Sequence, residues 1–219
     1  MNPLNPFIHI VAVSALAFGL PAMAQTAPAA KQEAAAVKLG DTWSFSHKNY
    51  LEANKSQEVK ISVVSVAADR WVGKSVGTVT GESEFERGHD WRVLSITTGG
   101  VKREFKPAYL DYGFPLELGK SFKGESTFPF AQGGMVTNKY DSKIVAMEKI
   151  TIAGVVLDAW VIETTGWWQL GSNSGRLTNK AWYSPAARTM VKSEFKRWSP
   201  SNRIDDSNLT ELTSFKLAD

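Results

Sequence analysis

Cysteine is absent from the 219 residues. Its absence removes a disulfide framework, a thiol nucleophile, any Cys-ligated metal and an N-terminal lipid-modified cysteine. An oxidising compartment permits disulfides without requiring them. Histidine is nearly as scarce. Of three, His9 lies in the apolar N-terminal stretch, which leaves His47 and His89. Two histidines hold a metal only with carboxylates beside them. Here one follows Trp43 and Phe45 on a strand face and the other sits in a turn, so they read as two unconnected boundary side chains. No metal and no cofactor is expected. Charge lacks a pattern as well: the formal net charge is +3 with both signs interspersed, far from the dense basic patch that nucleic-acid binding shows.

Long apolar runs are missing except at the start. Residues 1–24 contain no Lys, Arg, Asp or Glu, and the stretch from Phe7 to Leu20 is interrupted only by small or weakly polar residues. Ala22-Met23-Ala24 then places small residues where a signal peptidase accepts them. The expectation is a cleaved signal peptide over 1–24, a cut between Ala24 and Gln25, and a periplasmic or secreted protein. The run is shorter than the ~20 residues that span a bilayer, so the mature chain is expected not to cross the membrane. Roughly 200 residues remain, enough to bury roughly 70% of the unfolded surface. Residues 25–38 (QTAPAAKQEAAAVK) are Ala-rich with one Pro and read as a tether.

From Leu39 onward the texture is period-two alternation broken by Gly, Asn, Asp and Pro, the signature of strands and turns. Trp43, Phe45 and His47 alternate with Thr42, Ser44 and Ser46, and Val59, Ile61 and Val63 with Glu58, Lys60 and Ser62. Gly73 and Gly77 suggest bulges or bends in the third strand. Residues 107–119, with two Pro and two Gly, read as a crossing loop. About ten to twelve strands and no amphipathic helix are expected over 39–219. Mostly short connections make neighbours antiparallel. The fold class is all-β, a single curved antiparallel sheet that must curl or close to hide its edges: half-barrel, closed barrel or sandwich.

Residues 114–122 (FPLELGKSF), 181–185 (AWYSP), 190–194 (MVKSE) and 210–215 (TELTSF), with Glu148, Thr151, Gly154 and Asp158 between them, together resemble the TapB-like family of exported bacterial β proteins of unknown function. The resemblance covers residues 114–215. It implies a curved antiparallel sheet akin to the half-barrels of periplasmic lipoprotein carriers and transfers no catalytic residue.

Near-motifs fail on spacing or identity. Gly-Lys-Ser occurs at 73–75 and 119–121, but the first glycine of a phosphate loop is replaced by Ala68 and Phe114. Gly171 to Gly175 has Asn173 where a nucleophile elbow needs Ser. Gly40-Asp41-Thr42-Trp43 resembles the opening of a lipocalin barrel with one residue too many between Gly and Trp. Glu82, Glu84 and Glu86 share a strand face, and paired carboxylates in a cleft can hydrolyse glycosides. Burying them adjacent and unpaired is costly, so a solvated face is expected. Arg188, Lys192 and Lys196 read as a cationic ridge on another outer face.

Eight tryptophans remain, and most belong in a core. Trp167 and Trp168 differ, because neighbours on a strand point to opposite faces. The alternation of Trp160, Ile162 and Thr164 favours the even-numbered face as core, which places Trp168 inward and Trp167 outward unless Gly166 hosts a bulge. These two are the candidate residues for binding a ligand or partner. The expected function is that of a non-enzymatic exported β protein that holds an apolar small molecule or an exported chain in a concave sheet. The alternative is a protein–protein interaction or structural component of a cell-envelope assembly, docking an envelope protein. An outer-membrane barrel is disfavoured by a mean hydropathy of −0.20 and a C-terminus of Lys216-Leu217-Ala218-Asp219.

Overall fold

The alternation read at Trp43, Phe45 and His47 continues around a closed antiparallel barrel. In the computed structural model, which describes residues 31–130, 133–152 and 154–219, it is built of β1 (Thr42–Asn49), β2 (Gln57–Val66), β3 (Arg70–Gly77), β4 (Gly81–Gly88), β5 (Val93–Thr98), β6 (Val101–Tyr109), β7 (Ser121–Pro129), β8 (Met135–Ile152), β9 (Val155–Leu170), β10 (Asn173–Ser184), β11 (Thr189–Trp198) and β12 (Ile204–Lys216). Each strand pairs with its chain neighbours, and β1 closes the sheet onto β12 from Thr42↔Lys216 to Asn49↔Asn208. Of the alternatives expected, half-barrel, closed barrel and sandwich, the chain takes the closed barrel: the sheet has no open edge between first and last strand. Closure satisfies the backbone groups that an edge leaves unpaired.

The weakest seam is β6–β7, where Lys106↔Thr127 is the single registered pair. Side chains take over there. The Phe105 and Phe128 rings lie 4.7 Å apart, and Ser126 Oγ donates to the Pro107 carbonyl at 2.7 Å. At Gly73 β3 stays in register with β4, and the irregularity falls on the facing strand, between Val63 and Ser65 of β2, where Val63 pairs with Gly73 and Ser65 with Val72. Gly73 provides a seat for a ring, since a Cβ there would run into the Phe85 ring at Cζ. Gly166 is likewise an in-register pair with Leu177 and Tyr140 rather than a bulge.

The barrel end where β1 begins is stopped. The described part of residues 25–38 is no free tether: Gln32 and Leu116 exchange backbone hydrogen bonds of 2.9 and 2.8 Å, Ala35 N–H donates to the Tyr183 hydroxyl at 3.1 Å, and Val37 is buried in the core. The crossing loop expected over 107–119 is shorter at its start, because residues 107–109 end β6, and from Leu110 on the chain lies under the barrel with the N-terminal segment laid on it. Asp41 fastens this end. Fully buried, it accepts from Lys38 N at 2.9 Å, Ala218 N at 2.8 Å and Arg188 Nη1 at 3.0 and 3.2 Å. Arg188 therefore leaves the cationic ridge expected on β11. It stands in the turn before that strand with φ 53°, and its guanidinium goes to Asp41 and the Ala218 carbonyl.

The outer face carries ladders of opposite charge: Lys123–Asp141 at 3.0 Å, Lys139–Glu125 at 3.3 Å and Lys180–Glu163 at 3.4 Å. These positions on a lipid-facing barrel would be apolar. Among the described residues no helix is long and apolar enough to cross a membrane.

Candidate functional site

Inward residues of β1–β5 and β10–β12, with Trp91, Asp111 and Tyr112 from the connecting turns, line a cavity of about 470 Å³ that is open to solvent. Its lower wall is aromatic. Trp71 meets Trp91 edge-to-face at 5.1 Å and Phe85 at 5.5 Å, Trp43 lies 6.4 Å from Trp71, and Tyr112 lies 6.0 Å from Trp91. Such offset and edge-on pairs are each worth about 0.5–1.5 kcal/mol beyond area burial. Trp43 is further pinned by its indole N–H, which donates to the Ala187 carbonyl at 2.7 Å. Trp91 occupies the β4–β5 turn at φ 67°. A bulky residue in the left-handed region costs on the order of 1–3 kcal/mol, and here that backbone holds an indole in the floor of the cavity.

Above the aromatic layer runs a polar arc. Gln57, His47, Thr210, Ser193 and Asn179 belong to β2, β1, β12, β11 and β10 in order around the barrel, and each lines the cavity. His47 Nδ1 and Thr210 Oγ1 are 3.0 Å apart, and Ser193 Oγ donates to Asn179 Oδ1 at 2.7 Å. Ser75 and Ser83 form a matching rung on β3 and β4.

One ion pair sits in the wall. Arg87 donates to Asp111 and, at 2.9 Å, to the Trp91 carbonyl, with its guanidinium 5.4 Å from the Trp91 ring centre. The nearby tyrosines titrate late: desolvation and then the Asp111 charge push Tyr112 well above its usual value. Burial raises Tyr183 to about 12, against the opposing hydrogen bond with Ala35. The indole Nε1 atoms of Trp71 and Trp91 are closed to solvent and find no hydrogen-bond acceptor among the described residues. An unmet buried donor costs about 1–3 kcal/mol, and the neighbouring ring faces are only weak acceptors.

The residues singled out from sequence are distributed differently. Trp167 is 63% exposed, in an outer groove of about 630 Å³ flanked by Lys123, Glu125, Lys139, Asp141 and Arg176. Trp168 is half-buried on the other face. Its Nε1 donates to the Trp198 carbonyl at 2.9 Å, and Arg197 lies 5.5 Å from its ring centre. Neither lines the interior cavity. His47 lines it, whereas His89 lies at the stopped end with Nε2 2.9 Å from the Ala67 carbonyl, so the structure does not bring the two together. Glu82, Glu84 and Glu86 face outward, and Glu86 pairs with Lys102 at 3.0 Å. Their alternation already implied that Ser83, Phe85 and Arg87 face inward, the signal through which this wall could have been found.

No protein-family model matches the sequence, and no curated protein matches it. Solved structures do. A chain from Bacteroides fragilis described provisionally as an exported protein with a YmcC-like fold superposes at TM-score 0.52 with 10% identity, over 84% of this chain and 99% of that one. A provisionally described lipoprotein from Parabacteroides distasonis superposes at TM-score 0.51 with 9% identity, over 85% and 100%. At such identities the likeness is one of fold alone: this chain shares the YmcC-like β architecture.

Proposed function

We infer that the protein is an exported, non-enzymatic component of the cell envelope whose barrel interior holds a small, mainly apolar molecule. The observation that carries the reading is the cavity itself. Its volume falls within the ~300–1,000 Å³ of small-molecule sites, and such sites are mostly apolar with a few placed polar groups. The aromatic floor and the polar arc have that composition. Export is supported by the uncharged apolar stretch ending at Ala24 and by the descriptions of the two similar structures, one a lipoprotein and one an exported protein. The TapB-like resemblance of residues 114–215 agrees with it. A non-enzymatic role is supported by where the charged groups go: Arg87 and Asp111 neutralise each other, and the Glu82–Glu86 carboxylates point away from the cavity.

The exposed Trp167 favours a second reading, docking of an envelope protein on the β7–β10 outer face. Titration with N-phenyl-1-naphthylamine separates the two. Binding with enhanced fluorescence, lost in Ser83→Trp where a bulky ring fills the cavity and kept in Trp167→Ala, is the expected result. No binding, or binding lost only in Trp167→Ala, overturns the interior reading.

A further inference from the structure

The cavity wall changes character within one rung of the sheet. Toward the open end, Phe45 of β1 gives way to His47, Val59 of β2 to Gln57, Phe85 of β4 to Ser83 and Ala181 of β10 to Asn179. On β11 Met190 gives way to Ser193, and on β12 the buried Leu212 gives way to Thr210. Neighbouring strands run in opposite directions, so their sequences cross this boundary in opposite order and still turn polar at one end. Exposure follows the same axis. Trp43 is 1% and Phe45 4% exposed, whereas His47, Gln57, Ser75 and Ser83 are half-buried. The mouth therefore lies at the polar rung, and the apolar part is the closed end. Among the described lining residues, Arg87 and Asp111 are the Lys, Arg, Asp or Glu side chains present, and they lie below that rung and pair with each other.

Depth sets a second limit. The four-residue step from His47 down to Trp43 on β1 is roughly 13 Å along a strand and roughly 10 Å along the axis of a barrel with ordinary tilt. One leaflet of a bilayer's hydrocarbon core is about 15 Å thick, so a membrane lipid's chain is too long for this cavity and would push its head out past the rung. A hydrocarbon without a head gains nothing from the rung, and a polyol would lose hydration against the apolar wall. We propose that the occupant is a short amphiphile seated head-out. Its apolar body, no longer than roughly 10 Å, lies against Val59, Ile61, Phe85 and Met190, and its uncharged hydrogen-bonding head lies at His47, Gln57, Ser193 and Thr210. The proposal rests on the interior-ligand reading above and adds to it the chemistry, length and direction of the ligand.

Tryptophan fluorescence with linear alcohols tests it, in the wild type and in Trp167→Ala, which removes the exposed outer indole. Bromine quenches an indole that it approaches, and Trp43, Trp71 and Trp91 lie at the apolar end. The expected result is that 8-bromooctan-1-ol quenches more at saturation than 2-bromooctan-1-ol. Affinity should rise by up to about 4-fold per methylene from butan-1-ol to octan-1-ol, the worth of a buried CH₂, and by less than about 4-fold in all from octan-1-ol to dodecan-1-ol. Octan-1-ol should bind more tightly than octanoate or octylammonium. Equal quenching by the two bromides, or more by 2-bromooctan-1-ol, overturns the head-out seating. A gain of about 4-fold per methylene that continues to dodecan-1-ol overturns the depth, and an ion binding best overturns the uncharged head. Saturable binding of none of the alcohols overturns the amphiphile altogether. In each case the cavity reading stands if N-phenyl-1-naphthylamine still binds inside, and falls as well if it does not.

Discussion

Replacing Asp41 with Ala should loosen the stopped end of the barrel more than any surface change. The carboxylate is fully buried and accepts from Lys38 N, Ala218 N and Arg188. Hydrogen bonds to a charged group are worth about 1.5–3 kcal/mol each, and breaking a buried ion pair by removing one partner costs about 3–5 kcal/mol. The losses are not additive. Arg188 keeps the Ala218 carbonyl and is 20% exposed, so its stranded charge is partly solvated. A net cost of about 3–4 kcal/mol follows. At about 2–4 °C per kcal/mol for a domain of this size, the melting temperature should fall by about 6–16 °C, read by circular dichroism or calorimetry. Arg188→Ala should also destabilise, and the double variant should cost less than the sum of the singles by more than about 1 kcal/mol, since the groups share one network. A loss below about 1 kcal/mol in Asp41→Ala, or strict additivity, refutes the claim that this carboxylate fastens N-terminal segment, β10–β11 turn and C-terminus together.

Further outcomes follow from the same structure. Trp168→Ala should cost about 2–4 kcal/mol in urea melts, because it removes a half-buried indole and its hydrogen bond, whereas Trp167→Ala should stay within about 0.5 kcal/mol; equal large losses would mean both faces are buried there. Desolvation raises Tyr140 and Tyr183 to about 12 and pushes Tyr112 well above its usual value, so the folded state keeps protons that the unfolded chain loses near pH 10. Stability is full below pH 10 and falls as pH rises through 12, and absorbance at 295 nm should show late phenolate formation coinciding with unfolding. Early, non-cooperative titration of all five tyrosines would contradict this. Intact mass of envelope-extracted protein should begin at Gln25, and retention of Met1 would rule the cleavage out.

Much of the fold was legible locally. The alternations in β1 and β2 show which residues face inward, and Trp43, Phe45, His47, Val59 and Ile61 all reach the cavity. Closure was not legible, because β1–β12 pairing joins residues that are far apart in sequence, and nothing in Thr210-Glu211-Leu212 names its partner. Residues 31–38 read as a tether because alanines carry little pattern, while the docking depends on Leu116 and Tyr183, distant in the chain. Arg188 was misplaced by extending strand alternation one residue into a turn, where the left-handed backbone redirects the side chain. The cavity itself was half visible. Its aromatics read as core, but Ser75, Asn179 and Ser193 are small polar residues that look outward-facing until the barrel closes around them. The Trp167–Trp168 orientation followed from the pleat, since Gly166 holds register and the period of two survives.

The interior-ligand account is tested most directly by native mass spectrometry of the protein purified from its own envelope under non-denaturing conditions. It predicts a species heavier than the bare chain by the mass of one small neutral molecule, released on collisional activation and absent from Ser83→Trp prepared in the same way. A bare chain alone in the wild type, or an identical adduct in Ser83→Trp, would contradict it.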